Sequence, residues 1–210
     1  IDGETIIGRQ IRILGNVGIN ESDIIVVVGY NSKKIILPKN VATIENVEYR
    51  NSGNAYSLAL GLREVMENYE NEDAIVLDGD LVYDTEVLYN LVNADGSVII
   101  DKDKVVSFGK TGVVSRNGRV ISIGKHIVGD KTFENILKIK YSQIDEIVVL
   151  LEQYKNSWYT IALDKILNQA EFCELTVNGY LKEINSFQDY QDVLRDMGAN
   201  GETILVTGAS

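Results

Sequence analysis

The 210-residue chain holds one cysteine, one histidine and one proline. Cys173 has no second cysteine with which to close an internal disulfide, and its apolar neighbours mark it as a small buried hydrophobe. With His126 alone, zinc sites rich in histidine are excluded, as is most catalysis that depends on imidazole. No apolar run approaches the roughly 20 residues of a membrane-spanning helix, so a cytoplasmic setting is expected. Positive charge is scarce: 20 Lys and Arg stand against 31 Asp and Glu, a net charge of −11. Such a surface repels phosphate backbones and anionic lipid, so nucleic acid and membranes are excluded as main partners. An anionic small ligand then needs a local positive site or a metal. The opening IDGETIIGRQIRIL carries neither a methionine nor a secretory pattern, and it reads as the middle of a longer polypeptide.

What is present suffices for one α/β domain with a full core: 45% of residues are hydrophobic and 24% charged. ETIIGRQIRILGNVG has helical apolar spacing with a glycine stop. DIIVVVG is a continuous β-branched run, the mark of a buried strand. A short strand is predicted near NVEYR, then a helix over NSGNAYSLALGLREVMENY, a strand at AIVLDGD, a helix at TEVLYNLV and a strand at GSVIID. This alternation predicts a mostly parallel, Rossmann-like sheet flanked by helices. GVVSRNGRVISIG predicts a β-hairpin extension turning at Asn117-Gly118. SQIDEIVVLLEQY, WYTIALDKILNQ and SFQDYQDVLRDM read as helices, with short strands at CELTVNG and YLKEIN.

The stretch AIVLDGDLVYD ends a buried strand with Asp78 and Asp80. Ligands of open α/β sheets sit outside the carboxyl ends of the strands. Acids two residues apart can serve one site there, and Mg²⁺ takes carboxylate oxygens together with substrate phosphate oxygens. The competing reading is a solvated turn, with Gly79 present for its conformation.

The chain from Asp2 to about Met197 resembles the nucleotidyltransferase family with the GT-A-like Rossmann fold, in particular its phosphocholine cytidylyltransferase-like and sugar-phosphate branch. The resemblance is carried by IDGETIIGRQIRIL with GINESDIIVVVGY, then EYRNSGNAYSLALGL, AIVLDGDLVYD, GRVISIGK, KTFENILKIK and YLKEINSFQDYQDVL, in the family's order. It implies transfer of a nucleotidyl group, CTP being the favoured donor, to a small phosphorylated alcohol, amine or sugar with Mg²⁺ as cofactor. By the same match Asp80 is a metal ligand and Asp78 its nucleotide-side neighbour. Asn54, Tyr56 and Ser57 lie in the segment that closes over base and sugar. Asn185 takes the place of the family's second metal acid; otherwise it is a helix N-cap, with Ser186 competing. Glu134 and Asn135 match an acidic position near the acceptor, or else form an exposed strand edge. Lys110 and Lys125 can neutralise acceptor phosphate, Lys125 being favoured for catalysis. Trp158 and Tyr159 can form an acceptor-side aromatic wall or belong to the core. Asp101 and Lys102, at another strand end, can border the acceptor pocket.

The family opens with a strand and a Gly-rich, basic loop that grips triphosphate, and none of this precedes helix IDGETIIGRQIRIL. The expectation is therefore a nucleotidyltransferase domain over 1–197 without that loop, weak or inactive by itself. Residues 198–210 read as a linker followed by TILVTGAS, which resembles the first strand of a fused NAD(P)-dependent dehydrogenase or epimerase domain; the alternative is a strand that fills the sheet. A GT-A glycosyltransferase and a non-catalytic binding domain are the alternatives for function, because an acid-x-acid turn also serves nucleotide-sugar metals.

Overall fold

The computed structural model describes residues 3–198. The chain runs α1 (Ile6–Asn16), β1 (Ile25–Val28), β2 (Ala42–Glu45), α2 (Asn54–Asn68), β3 (Ala74–Leu77), β4 (Leu81–Tyr83), α3 (Thr85–Val92) and β5 (Ser97–Asp103). It continues through β6 (Gly112–Arg116), β7 (Arg119–Gly124), β8 (Lys131–Ile139), α4 (Tyr141–Gln153), α5 (Tyr159–Ile166), β9 (Phe172–Thr176), β10 (Leu181–Glu183) and α6 (Phe187–Asp196).

A six-stranded sheet of order β3-β8-β5-β9-β7-β6 divides two apolar cores, and β6 also reaches β8 at one rung. Side chains alternate across it with the period of two that a strand imposes. Ile99 and Leu137 face α2, α4 and α5, whereas Val98, Ile100 and Ile136 face α1 and α3. Ile99, Ile100, Ile136 and Leu137 are wholly buried, each burial being worth about 1.5–3 kcal/mol relative to exposure. The alternation also brings Lys138 to the α3 side. There its ammonium donates to the carbonyls of Val92 and Ala94, satisfying backbone acceptors at the end of α3.

The α/β class and the hairpin agree with expectation. Asn117 and Gly118 both have positive φ, 53° and 79°, as a type I′ turn requires. Strand directions depart from the mostly parallel expectation: among the described residues only β1–β2 and β5–β9 pair in parallel, and the other pairs are antiparallel. A parallel neighbour needs a crossover of a dozen or more residues, and the two-residue turn from β6 to β7 offers none. The strand expected near NVEYR ends at Glu45. Asn46 turns the chain there, accepting from the Glu48 N–H and donating to Ser52 and Ser57. Cys173 is exposed rather than buried, standing on β9 between buried Phe172 and half-buried Glu174.

β1 and β2 form a pair of their own, and among the described residues no strand pairs with the second edge of β1 or of β3. Helices nonetheless span both. Val26 of β1 and Ile75 and Leu77 of β3 pack into the core that holds α1, and Val27 lies against Gly61 of α2. The segment TILVTGAS and its linker from residue 199 onward lie outside the described residues.

Candidate functional site

β3 delivers Asp78, Gly79 and Asp80 as a turn between Leu77 and β4. Three elements hold that turn. Gln10, buried on α1, donates its side-chain amide to the carbonyls of Asp78 (3.0 Å) and Leu81 (2.9 Å). The Asp78 N–H donates to the Asn135 carbonyl on β8 (3.3 Å), and the Ile184 N–H, just past β10, donates to the Asp80 carbonyl (2.9 Å). The β4–β10 register sets Glu183 opposite Leu81, so a third acid joins the two in the turn.

Three acids so close make a strongly negative site. Burial pushes the Asp78 carboxyl up to about 7, with the charges of Asp80 and Glu183 adding to it. Burial and then Glu183 also raise the Asp80 carboxyl, while Lys110 opposes the rise. Lys110 meets Glu183 at 2.5 Å. Asp80 Oδ1 is buried with no hydrogen-bond partner. The Tyr159 hydroxyl is buried against the Asp78 carboxyl, and burial followed by the Asp78 charge moves its pKa well up.

A cavity of about 370 Å³ opens beside the turn. It brings together Asn54, Asp78, Lys125, Asn135, Trp158, Tyr159 and Asn185 from the sequence-predicted set, with Lys110 and Glu183 between them. The Lys125 ammonium lies 3.9 Å from the Trp158 ring centroid, and Tyr159 meets Phe133 edge to face. Asn54 anchors this aromatic wall. Its side-chain oxygen accepts from the Tyr159 N–H (2.9 Å), while the N–H groups of Gly53 and Ala55 donate to the carbonyls of Lys155 and Ser157. Gly53 is required at this contact, since a Cβ there would stand 2.0 Å from the Ser157 carbonyl oxygen. A second cavity of about 180 Å³ adjoins the first and is lined by Glu134 together with Asn135, Lys104, Lys110, Lys182 and Glu183.

Asn185 is released from capping. Ser186 is the N-cap of α6, accepting from the Asp189 N–H, while the Asp189 carboxylate accepts from the Asn185 N–H in return. Tyr56 and Ser57 line neither cavity; the Ser57 hydroxyl accepts from Asn46 (3.0 Å), and the Tyr56 ring has the Lys155 ammonium 5.6 Å from its centroid. Asp101 and Lys102 also fall outside both cavities. Asp101 is wholly buried within the sheet, where Thr176 donates to it at 2.6 Å and Lys131 lies 3.8 Å away, and Lys102 donates to the Leu181 carbonyl. Glu183 was missed by sequence reasoning, although it stands two residues before Asn185 in a short strand, the spacing that returns a side chain to the same face.

Among the described residues no three His, Cys, Asp or Glu side chains gather closely enough to bind a metal by themselves. Mg²⁺ makes a lighter demand, one or two protein oxygens completed by water and substrate phosphate. The partnerless Asp80 Oδ1, on a residue that lines neither cavity, meets that demand, and Asn185 follows Ile184, whose N–H holds the Asp80 carbonyl, with an amide oxygen as a second ligand type.

A family model described as "Domain of unknown function (DUF6564)" matches residues 12–119. No curated protein sequence matches. Among solved structures, the CTP:phosphocholine cytidylyltransferase of Streptococcus pneumoniae is 19% identical with a TM-score of 0.73, over 94% of this chain and 87% of that one. The inositol-1-phosphate CTP transferase of T. maritima is 16% identical with a TM-score of 0.74, over 97% and 87%. A UDP-glucose pyrophosphorylase complexed with UDP-glucose is 10% identical with a TM-score of 0.68, over 92% and 86%. At such identities the likeness shows the fold: an α/β, Rossmann-like nucleotidyltransferase fold.

Proposed function

We propose that this chain, which belongs to the DUF6564 family, is a nucleotidyltransferase domain that moves a nucleotidyl group, cytidylyl in our reading, from a nucleoside triphosphate to a small phosphorylated alcohol, amine or sugar. The observation that carries the proposal is the fastened Asp78-Gly79-Asp80 turn, whose Asp80 oxygen is buried without a hydrogen-bond partner and whose Asp78 lines a cavity that also presents Lys110 and Lys125. The names of the similar structures, two CTP-dependent transferases and a sugar-nucleotide pyrophosphorylase, support the same reaction class.

An oxygen of the acceptor phosphate attacks the α-phosphorus of the donor. A new P–O bond forms, the bond from that phosphorus to the bridging oxygen breaks, and pyrophosphate leaves with the electron pair. The attacker is already an anion, so no general base is required and the near-absence of histidine is no obstacle. Lys125 can leave the Trp158 face to neutralise the acceptor phosphate, and Asn54 keeps Trp158 and Tyr159 in place as a wall. Asp80 and Asn185 would hold Mg²⁺, which when bound supplies positive charge to the transferred phosphoryl oxygens. The rest of the catalytic effect is orientation and fixed electrostatics.

The experiment is pyrophosphate release with CTP, UTP and a panel of phosphorylated acceptors in Mg²⁺. Asp80→Ala should abolish release while keeping the cooperative thermal transition. Near-normal turnover in a folded Asp80→Ala protein would sink the metal assignment.

A further inference from the structure

β8 does not run as a flat strand past the site. Between the rungs Ile99↔Leu137 and Asp101↔Phe133 it spends four residue steps where β5 spends two. The surplus is taken up around Asn135, which adopts φ +57° in the middle of the strand. That left-handed conformation is unfavourable for side chains with a Cβ and least so for asparagine and aspartate. Strain of this kind persists only where the surroundings enforce it, and it gathers at functional sites.

The bulge has two consequences. Thr132, Phe133, Glu134 and Asn135 all line the smaller cavity, although successive residues of a regular strand point to opposite faces. The Asn135 carbonyl also receives the Asp78 N–H, although the regular β3–β8 ladder ends at the preceding rung, Leu77↔Ile136.

We infer that Asn135 is a positioning residue that acts through its backbone: its left-handed bulge turns Glu134 into the acceptor-side cavity and fixes the Asp78 end of the acidic turn. The catalytic part of this inference rests on the transferase reading above; the structural part does not. It contrasts with the direct role in acceptor binding that the sequence resemblance implies for the Asn135 side chain.

Three variants separate the roles. Asn135→Gly removes the amide but accepts the same φ, Asn135→Ala keeps the site small while opposing that φ, and Asn135→Val opposes it most because of its β-branch. The first readout is hydrogen exchange at the Asp78 amide, which requires no activity. Protection should be kept in Asn135→Gly and fall at least tenfold in Asn135→Ala, with Asn135→Val following if it folds. The second is turnover: Asn135→Gly should stay within about threefold of the parent, while Asn135→Ala loses kcat at least tenfold with KM for the nucleotide little changed. If Asn135→Gly loses as much turnover as Asn135→Ala, the side chain itself is the working group and the inference falls. It falls equally if Asn135→Ala leaves Asp78 fully protected. Should the exchange pattern hold while no variant, nor the parent, releases pyrophosphate, the positioning stands and the transferase reading fails.

Discussion

Replacing Asp78 by asparagine should make the metal-free protein more stable at pH 8 and leave it unchanged at pH 4. The folded-state carboxyl is pushed up to about 7, by burial first and then by Asp80 and Glu183, whereas the unfolded chain ionises near the ordinary 3.8. Between those values the folded state holds a proton that the unfolded state has lost, so stability falls as pH rises through that window. Below pH 4 both states are protonated and the group costs nothing. Above pH 7 both are ionised and the whole penalty applies. Moving a carboxyl from 3.8 to about 7 corresponds to roughly 4 kcal/mol at about 1.4 kcal/mol per pKa unit. Asp78 is only half-buried, and solvent screening brings the expected effect down to about 1–2 kcal/mol.

Asp78→Asn keeps the side-chain shape and the backbone bonds to Asn135 and Gln10 while removing the charge. Urea unfolding in a chelator should therefore show the variant about 1–2 kcal/mol more stable at pH 8, with the gap closing towards pH 4. Millimolar Mg²⁺ should narrow the gap at pH 8, because a bound cation relieves the same repulsion. A variant that is equally stable or less stable at pH 8, or a gap that does not vary with pH, would refute the reasoning.

Gly53→Ala should cost at least about 2 kcal/mol by overpacking, since its Cβ would meet the Ser157 carbonyl oxygen at 2.0 Å; urea unfolding measures it, and a neutral result would mean that the α2 terminus does not dock there. Lys125→Ala should cut turnover with a stability change under about 1 kcal/mol. It should also red-shift the emission of Trp158, the only tryptophan, by uncovering the indole face on which the ammonium rests; an unchanged spectrum would contradict the stacking.

Features that depend on neighbours in sequence were legible. AIVL ends where its acids begin, the Asn117-Gly118 turn forms as its residue types require, and Asp80 stands at the carboxyl end of a strand, where α/β sheets bind ligands. Features made by distant pairing were not. The three-residue β4 gains its strand character from β10, about a hundred residues away, and β8 enters between β3 and β5 with no local mark of that position. Asp101 shows the error this produces. At the end of SVII it resembles Asp78 at the end of AIVL, yet β5 continues to Asp103, and Thr176 and Lys131 arrive from β9 and β8 to meet its Oδ1 inside the sheet, while its Oδ2 stays buried without a hydrogen-bond partner. Among the described residues no salt bridge reaches Asp78 or Asp80: Gln10, Asn135 and Ile184 hold their backbone, the Tyr159 hydroxyl lies against the Asp78 carboxyl, and Lys110 only partly offsets the charge of Asp80. What separates the two places is a cation: Lys131 stands beside Asp101, whereas for the turn after β3 the remaining negative charge is what a bound cation and its phosphate ligands would compensate in the proposed reading.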